Sequence, residues 1–491
     1  MKLTKLTNAA AMTVLLFLAS CSSRTEYTHA LPKNASAVVA LDLDAMAGKG
    51  GLKDGGGKPL ADKLTALLKS GLQGEAARLA ERIVANPKES GLALDEKLYL
   101  FSTPHATAFA ALAKVDDTLK LEKLLEVLHD EGIATEIKEE SGCRWAQVGQ
   151  AVCAFNNGTF LAMQHAKADA SGIRGTLFSL MRQQEGEGFA ALPEFGSLKA
   201  KGNDIASVAD FSAMPQRWTT PLRMGLSAEI DLQDIKYLTT ANFERGRLTV
   251  ESSCVTGNAL VKDFFRQMNQ ITSPLSGRNL ELYPAQTAVW MGGKIHGATL
   301  YDMLGRNPSI RQALNNPVLP VDVKRIFASL EGDFSIGILS LDRGDFLAYA
   351  DVTERTFLRT FEELRPLLAL TGGQVKLHDT APDQYALQTY DAVYWFGVKG
   401  NCFYVTNRRQ LAEEAGRTYG VSPANRPWKE EARKNRVFVS LQPSETGLPF
   451  AQLVESVTVG IPEWDKVRME VVMKNQDENA LRTIVRIVEE M

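Results

Sequence analysis

Cys21 carries the clearest chemistry in the sequence. Lys2 and Lys5 precede an apolar run at residues 9–19, which is the charge and hydropathy pattern of a secretory signal. The run leads into Leu18-Ala19-Ser20-Cys21, which resembles the bacterial lipobox, the motif in which the cysteine sulfur is acylated and the chain is cut just before the cysteine. The pattern therefore predicts that Cys21 is lipidated and becomes the first residue of the mature protein.

An uncleaved membrane anchor, or an ordinary signal peptide with a chance cysteine, is the alternative. A membrane-spanning helix needs about 20 apolar residues, and the run at 9–19 is much shorter, which favours a lipoprotein. Two or three acyl chains would anchor it, since each buried methylene contributes about 0.8 kcal/mol. Ser22 directly after the cysteine is typical of outer-membrane sorting, and Ser22-Ser23-Arg24 lacks the acidic run of surface-exported lipoproteins. We therefore expect the periplasmic face of the outer membrane.

A glycine-rich stretch at residues 48–58 contains two lysines and could form a phosphate-binding loop. The Walker spacing needs a glycine where this chain has Leu52, and a Ser or Thr where it has Pro59. The dinucleotide fingerprint also fails, because Lys53 occupies its third glycine position. The stretch is predicted to be a mobile surface loop, and no cofactor is expected.

Metal binding would need histidines, thiolates or carboxylates at ligand spacing. The six histidines are scattered, and neither His-Glu-x-x-His nor Cys-x-x-Cys occurs. Asp42 and Asp44 are predicted to share one face of a strand, where they could bind a hard cation or act as acid and base. A second copy of the same strand pattern occurs later in the chain, and its equivalent positions hold Lys294 and His296. A solvated strand face is therefore favoured, and no metal site is predicted.

Nucleophilic catalysis has no local signature. The Gly-x-Ser-x-Gly elbow of serine hydrolases is absent, although a triad needs no fixed spacing. An aromatic cluster in one region could form a glycan-binding platform, but strands with apolar residues on both faces are typical of a core, so burial is favoured. The cluster consists of Tyr385, Tyr390, Tyr394, Trp395 and Trp428.

The composition is that of a globular chain close to neutrality. Apolar residues make up 45% of the 491 positions, and 55 basic against 58 acidic residues leave a net charge of -3. Such a chain has no strong attraction to nucleic acid, so no nucleic-acid partner is expected. Cys143 and Cys153 flank a predicted hairpin and could form a disulfide in an oxidising compartment, while two free buried thiols are the alternative.

Four segments recur in the same order in the two halves of the chain. Segment 31–43 resembles 283–295, 108–115 resembles 345–352, 157–161 resembles 399–403, and 248–260 resembles 469–481. Because the order is kept and the spacing drifts only by loop-sized amounts, we infer two diverged tandem copies of one module.

Each copy combines helices with short strands. Leucines at 121, 124, 125 and 128 have the spacing of an amphipathic helix, and apolar residues at 357, 361, 364 and 368 repeat it in the second copy. Short β-branched and aromatic runs follow each helix at turn spacing, which is typical of an antiparallel meander. The runs cover 135–138, 144–148, 151–155 and 159–163, and then 374–377, 385–389, 392–398 and 402–406. A strand and a helix close each copy.

The predicted fold class is therefore α+β, built from two tandem copies of an antiparallel-sheet-plus-helices module. The predicted segments are a signal peptide at 1–20, a tether at 21–30, a first module at 31–270, a linker at 271–282 and a second module at 283–491.

Four short motifs of the N-terminal region carry a family resemblance. They are the lipobox Cys21, the lead-in Tyr27-Thr28-His29-Ala30-Leu31-Pro32, the strand end Leu41-Asp42-Leu43 and the following Gly50-Gly51-Leu52. With them, the sequence resembles a family of uncharacterised Bacteroidetes lipoproteins known only as a domain of unknown function. The resemblance covers essentially the whole mature chain, implies an envelope location and supplies no catalytic residue.

We therefore expect a cell-envelope protein that is held to the membrane through the lipid on Cys21 and that binds or scaffolds without catalysis. Its partner would be another envelope protein or a glycan. The alternative is an envelope hydrolase, or a glycan- or lipid-binding protein, with its site between the two modules.

Overall fold

A computed structural model describes residues 26–53, 58–102, 108–165, 170–214, 229–306, 308–314 and 322–490. The chain divides into two units, unit 1 with residues 1–209 and 485–491, and unit 2 with residues 210–484. Both units mix helices with antiparallel strands, so the α+β class is confirmed. Residues 210–270, assigned by sequence to the first module, lie in unit 2.

The described part of unit 1 contains eight strands, all in antiparallel pairs. They are β1 (Ala37–Leu41), β2 (Leu98–Ser102), β3 (Ala108–Lys114), β4 (Lys138–Glu140), β5 (Cys143–Val148), β6 (Ala151–Phe155), β7 (Thr159–His165) and β8 (Ile205–Asp210). Their spatial order is β8-β1-β2-β3-β7-β6-β5-β4. The helices of unit 1 are Leu43–Lys49, Lys58–Gly71, Gly74–Ala85, Thr118–Asp130, Ala170–Met181 and Phe195–Lys199.

The described part of unit 2 contains thirteen strands. They are β9 (Lys236–Glu244), β10 (Arg247–Val255), β11 (Thr272–Ser273), β12 (Val289–His296), β13 (Leu330–Ser340), β14 (Asp345–Val352), β15 (Lys376–Ala381), β16 (Gln384–Gln388), β17 (Val393–Lys399), β18 (Cys402–Thr406), β19 (Val437–Leu441), β20 (Val454–Glu463) and β21 (Lys466–Met473). Their order is β9-β10-β21-β20-β19-β12-β13-β14-β18-β17-β16-β15, with β11 beside β12. The helices are Ala259–Ile271, Gly297–Leu304, Pro308–Leu314, Val323–Ser329, Arg359–Glu363, Arg365–Ala369, Arg409–Glu414 and Lys429–Ala432.

The helix Ala480–Glu490 crosses the division between the units. Its last turns belong to unit 1, where the Nζ atom of Lys63 donates to the carbonyl of Val488 at 3.3 Å. Gly50 lies beside Val485, close enough that an added Cβ would be 3.5 Å from the valine methyl.

The predicted amphipathic helix of the first copy is confirmed at Thr118–Asp130. Asp117 caps it, because its side chain accepts hydrogen bonds from the backbone amides of Leu119 and Lys120 at 3.0 and 3.2 Å. Leu121 and Leu125 are buried in one cluster with Phe155 of β6. The helix therefore covers the meander β4 to β7, whose first strand begins three residues later than predicted.

The prediction of a strand at 37–43 is wrong at its end. The prediction that Asp42 and Asp44 share one face of that strand is therefore also wrong. The strand stops at Leu41, because the Asp42 carboxylate accepts from the amide of Ala45 at 2.9 Å and starts the helix Leu43–Lys49. Asp44 lies in the first turn and pairs with Lys53 at 2.5 Å. Both carboxylates therefore stabilise a helix start.

The predicted second-copy helix at 357–368 is broken into shorter pieces. A 3-10 turn at Thr356–Leu358 precedes the helices Arg359–Glu363 and Arg365–Ala369, and Pro366 stands at the start of the last one. Proline cannot donate the amide hydrogen bond that would continue the helix across this point.

The segment predicted as a linker at 271–282 is firmly held within unit 2. The buried carboxylate of Asp333 accepts from Ser276 through its amide at 3.0 Å and its hydroxyl at 2.6 Å, and from the amide of Gly277 at 2.8 Å. Such charge-assisted bonds are about twice as strong as neutral ones. The segment is thus part of the fold of unit 2.

Aromatic rings stacked over glycines form the core of unit 2. An added Cβ on Gly292 would lie 2.4 Å from the ring of Trp290, and one on Gly337 would lie 2.6 Å from the ring of Tyr283. The two rings meet edge to face with centroids 6.5 Å apart. Glycine at these strand positions therefore makes room for the largest core side chains.

Cys143 and Cys153 are free, buried thiols, so the disulfide alternative is wrong. The strand register explains why, because Cys153 stands opposite Ala146 on β5, three positions along from Cys143. Burial raises the pKa of Cys153 to about 11 and that of Cys254 to about 12. It also raises the pKa of Cys402 to about 12.

We expect these thiols to react slowly with iodoacetamide at pH 8 in the folded protein and rapidly in urea. The thiolate is the reactive form, and a raised pKa reduces its fraction about tenfold per unit at this pH. Peptide mass spectrometry after timed alkylation measures this for each cysteine, and fast labelling of Cys153 without urea would contradict it. The intact mass should not change on adding a reductant.

Candidate functional site

A polar concavity of about 410 Å³ lies on one face of unit 2, over strands β10, β21, β20 and β19. Its lining comprises Arg247, Arg426, Pro427, Trp428, Glu431, Gln442, Glu455, Ser456, Thr458, Arg468, Glu470 and Val472. Three arginines and three glutamates balance in charge.

The strand register aligns polar residues across this face. Glu470 on β21 stands between Thr249 on β10 and Thr458 on β20. On the far side of Thr458, the next strand β19 places Ser440 directly opposite it. Directly paired residues point to the same face of a sheet. Thr249, Thr458 and Ser440 are all buried, so a polar row crosses four strands under the concavity.

The charged groups of the lining hold one another in place. Glu470 lies 3.5 Å from a guanidinium nitrogen of Arg247 and 3.6 Å from one of Arg468. Arg468 also donates to Glu251 at 2.6 Å. Arg426 donates to the backbone carbonyl of Ala285 at 3.4 Å. Glu470 is therefore an oriented hydrogen-bond acceptor between the guanidinium groups of Arg247 and Arg468.

Three buried polar atoms at this face have no hydrogen-bond partner among the described residues. They are Gln442 Nε2, Trp428 Nε1 and Thr249 Oγ1. A buried donor without a partner costs about 1–3 kcal/mol, so such atoms in a native fold require an explanation.

Trp428 is held rigidly. Its ring stacks on that of Trp290 at 6.0 Å between centroids and lies 5.4 Å from that of Phe438. Gln442 is fixed through its backbone, whose amide donates to the carbonyl of Ala288 at 2.8 Å. The indole donor of Trp428 therefore has a fixed position, which favours selective binding.

Sequence reasoning did not find this site, although Trp428 was among the aromatic residues it considered. Burial is confirmed for Tyr385 and Trp428, whereas Tyr390 is 92% exposed. The other lining residues come from three distant segments that only strand pairing brings together. A signal does exist in β20 and β21, where Ser456, Thr458, Arg468 and Glu470 alternate with valine or methionine.

Apart from Trp428, the described residues singled out by sequence are not among those that line the concavity. Cys21 is outside the described residues, and so are residues 54–57 of the glycine-rich stretch. Lys49 of that stretch donates to Asp204 at 2.7 Å. Within the described ranges, no group of three or more His, Cys, Asp or Glu is arranged to hold a metal ion. Every helix in the part of the chain that the structure describes is too short or too polar to cross a bilayer.

A protein-family profile described as a domain of unknown function (DUF4836) matches residues 27–454. This chain belongs to the DUF4836 family. The DUF4836 match begins at the 3-10 turn Tyr27–Ala30 and runs to the first residue of β20. It includes Arg247, Trp428 and Gln442 of the concavity, while the polar residues of β20 and β21 follow it.

Solved structures of TP0453 show some similarity to the DUF4836 chain. Crystal form I shares 11% identity, covers 51% of this chain and 86% of its own, and has a TM-score of 0.29. Crystal form III shares 10% identity over 51% of this chain and 88% of its own, with a TM-score of 0.29. No curated protein matches the sequence significantly.

Proposed function

We propose that this DUF4836 protein is a lipid-anchored cell-envelope protein that binds a glycan in the concavity of unit 2 without chemical change. The observation that carries the proposal is the pair of buried donors without partners in the described structure, Gln442 Nε2 and Trp428 Nε1, on two residues that line the concavity. Hydroxyl and acetamido oxygens of a sugar would accept from them. Glu470 and the adjoining arginines would meet the sugar hydroxyls as acceptor and donors.

The membrane is the second partner in this proposal. The lipobox at Leu18-Ala19-Ser20-Cys21 supports acylation of Cys21, and Ser22 supports sorting to the outer membrane. The lack of an acidic run in Ser22-Ser23-Arg24 supports the periplasmic face. Tyr27 is already buried, so the tether is short. Such a tether would hold unit 1 close to the membrane.

We also propose that the chain is a tandem duplication. The pairing order β8-β1-β2-β3-β7-β6-β5-β4 repeats as β19-β12-β13-β14-β18-β17-β16-β15, which supports two copies of one module. Each series is followed by a hairpin and a helix, β9 and β10 with Ala259–Ile271, then β20 and β21 with Ala480–Glu490. The concavity uses the hairpins of both copies.

Calorimetric titration with a panel of neutral and N-acetylated oligosaccharides tests the proposed function. We expect Gln442→Leu to weaken binding of the best ligand at least tenfold, since a lost hydrogen bond of about 1.4 kcal/mol gives that factor. Gln410→Leu is the matched control, because Gln410 is exposed and lies away from the concavity.

Measuring the free energy of unfolding of Gln442→Leu separates a loss of binding from misfolding. Because Gln442 Nε2 has no partner in the described structure, leucine at this position is not expected to lower the free energy of unfolding. Equal affinity of wild type and Gln442→Leu for every bound sugar would contradict the assignment of the site. Absence of binding across the panel would overturn the glycan proposal.

A further inference from the structure

Ser273, His296 and Glu331 form a hydrogen-bonded row outside the concavity. The hydroxyl of Ser273 lies 3.3 Å from His296 Nε2, and His296 Nδ1 lies 2.6 Å from a carboxylate oxygen of Glu331. We propose that this row is a nucleophilic site that hydrolyses carboxylic esters, an activity separate from glycan binding.

Three neighbouring strands place these side chains. His296 of β12 stands directly opposite Glu331 of β13. Ser273 of β11 stands opposite Lys294, two residues before His296 on the same face of β12. Serine, histidine and carboxylate thus follow one another across a hydrogen-bonded ladder, an arrangement that depends little on loop conformation.

The two contacts of His296 show which of its ring nitrogens carries a hydrogen. A carboxylate can only accept, so His296 Nδ1 carries a hydrogen and donates it to Glu331. In the neutral ring, Nε2 then has a free lone pair directed at Ser273, which can accept the hydroxyl proton. These are the roles of nucleophile, base and orienting carboxylate in a serine triad, which is recognised by geometry rather than by sequence order.

The backbone before Ser273 is anchored on several sides. The hydroxyl of Thr272 donates to the carbonyl of Met268 and accepts from the indole of Trp464, both at 2.8 Å. A guanidinium nitrogen of Arg436 donates to the carbonyl of Thr272. Pro274 follows and restricts the next backbone angle. The nucleophile is therefore held by a positioned backbone, as efficient attack requires.

Positive charge is available for the oxyanion that forms during attack. Lys294 stands opposite Ser273 in the ladder and shares its face with His296. The buried Nε atom of Arg436 has no hydrogen-bond partner within the described ranges. We assign the charge-stabilising role to Lys294, since preorganised donors near a developing oxyanion are a major source of rate acceleration.

The proposed reaction has two balanced steps. Ser273 Oγ bonds to the acyl carbon while its proton passes to His296, and the departing alcohol takes that proton as its bond to the acyl carbon breaks. Water then attacks the acyl-serine and gives a proton to His296. The bond to Ser273 breaks, the proton returns to Ser273 Oγ, and a carboxylic acid leaves.

The openness of the site indicates the substrate class. The side chains of His296 and Glu331 are 33% and 46% exposed, so the reacting groups face solvent. We therefore assign an ester with a short acyl group that projects from a larger molecule.

A fluorophosphonate probe and p-nitrophenyl acetate test the proposal on the full chain. We expect the probe to label Ser273, as located by peptide mass spectrometry, and Ser273→Ala or His296→Gln to lower kcat/KM for the ester at least a hundredfold. Lys294→Met should lower kcat more than it changes KM. Ser444→Ala is the matched control, because Ser444 is exposed and its hydroxyl donates to the carboxylate of Glu445, so this variant should leave the rate unchanged.

Glu331 acts through His296, so its test needs a conservative pair of variants. Glu331→Gln should lower kcat with little change in KM, and Glu331→Asp should restore part of the loss, which a purely structural role would not produce. Circular dichroism checks that each variant is folded. No labelling of Ser273, or equal hydrolysis by wild type and folded Ser273→Ala, would overturn the proposal. Labelling of Ser273 and titration with sugars are separate measurements on separate residues, so the two proposals fail separately.

Discussion

Replacing Trp290 by alanine is expected to lower the free energy of unfolding of unit 2 by about 3–5 kcal/mol, the range for large aromatic residues in a packed core. Trp290 is 2% exposed and packs against Tyr283 and Trp428 at 6.5 and 6.0 Å between ring centroids. Gly292 has no side chain that could fill the resulting cavity. The indole nitrogen has no hydrogen-bond partner in the described structure, so the loss comes from packing alone.

Urea unfolding followed by far-UV circular dichroism measures this loss, and hydrogen exchange of peptides from β12 and β13 locates it in unit 2. Tyr390→Ala is the control, because this ring is 92% exposed and its removal should change stability by less than about 0.5 kcal/mol. Similar unfolding curves for the two variants would contradict the assignment of Trp290 to the core.

Replacing Cys21 by alanine is expected to move the protein almost entirely from the membrane fraction to the soluble fraction. Without the thiol, no acyl chain can be attached, and single chains already bind membranes only reversibly. Every helix in the described ranges is too short or too polar to span a bilayer. The measurement is fractionation of cells fed an alkyne-bearing fatty acid, followed by in-gel detection of the label.

Cys254→Ala provides the control for this experiment, because it removes a cysteine from a strand of the folded body and leaves the lipobox intact. That variant should keep both the label and the membrane location. Retention of Cys21→Ala in the membrane fraction, or labelling of it, would contradict the lipoprotein proposal.

The sequence predicts the regular elements of this fold well wherever one periodicity is uninterrupted. The leucine stripe predicts the helix Thr118–Asp130, and the β-branched and aromatic run at Cys402–Thr406 predicts β18 at those residues. The closing helices Ala259–Ile271 and Ala480–Glu490 also lie where predicted. In the helix Thr118–Asp130, the apolar face is the one that packs on the sheet, where Leu121 and Leu125 join Phe155 in one buried cluster.

Predictions fail where a local hydrogen bond or a proline overrides the pattern. Asp42 continues the alternation of β1 but ends the strand, because its carboxylate caps the next helix. The apolar spacing from Phe357 to Leu368 fits one helix, yet Pro366 interrupts it. These outcomes depend on one side chain each, which a periodicity does not resolve.

The sites are harder to predict than the fold. Arg247, Trp428 and Glu470 belong to segments far apart in sequence, and only the register of β10, β21 and β20 joins them. Likewise, Ser273 and Glu331 lie on opposite sides of His296 in the chain and meet only through the ladder. Residue spacing carries no information about such pairings before the strand order is known.

The course of the helix Ala480–Glu490 has a consequence for biosynthesis. Residues from 485 onward complete unit 1, whereas residues 210–484 form unit 2. Synthesis from the N terminus therefore delivers the last turns of unit 1 only after residues 210–484 have been made. Until then, the surface around Gly50 and Lys63 stays uncovered, so we infer that unit 1 matures last although most of its residues are made first.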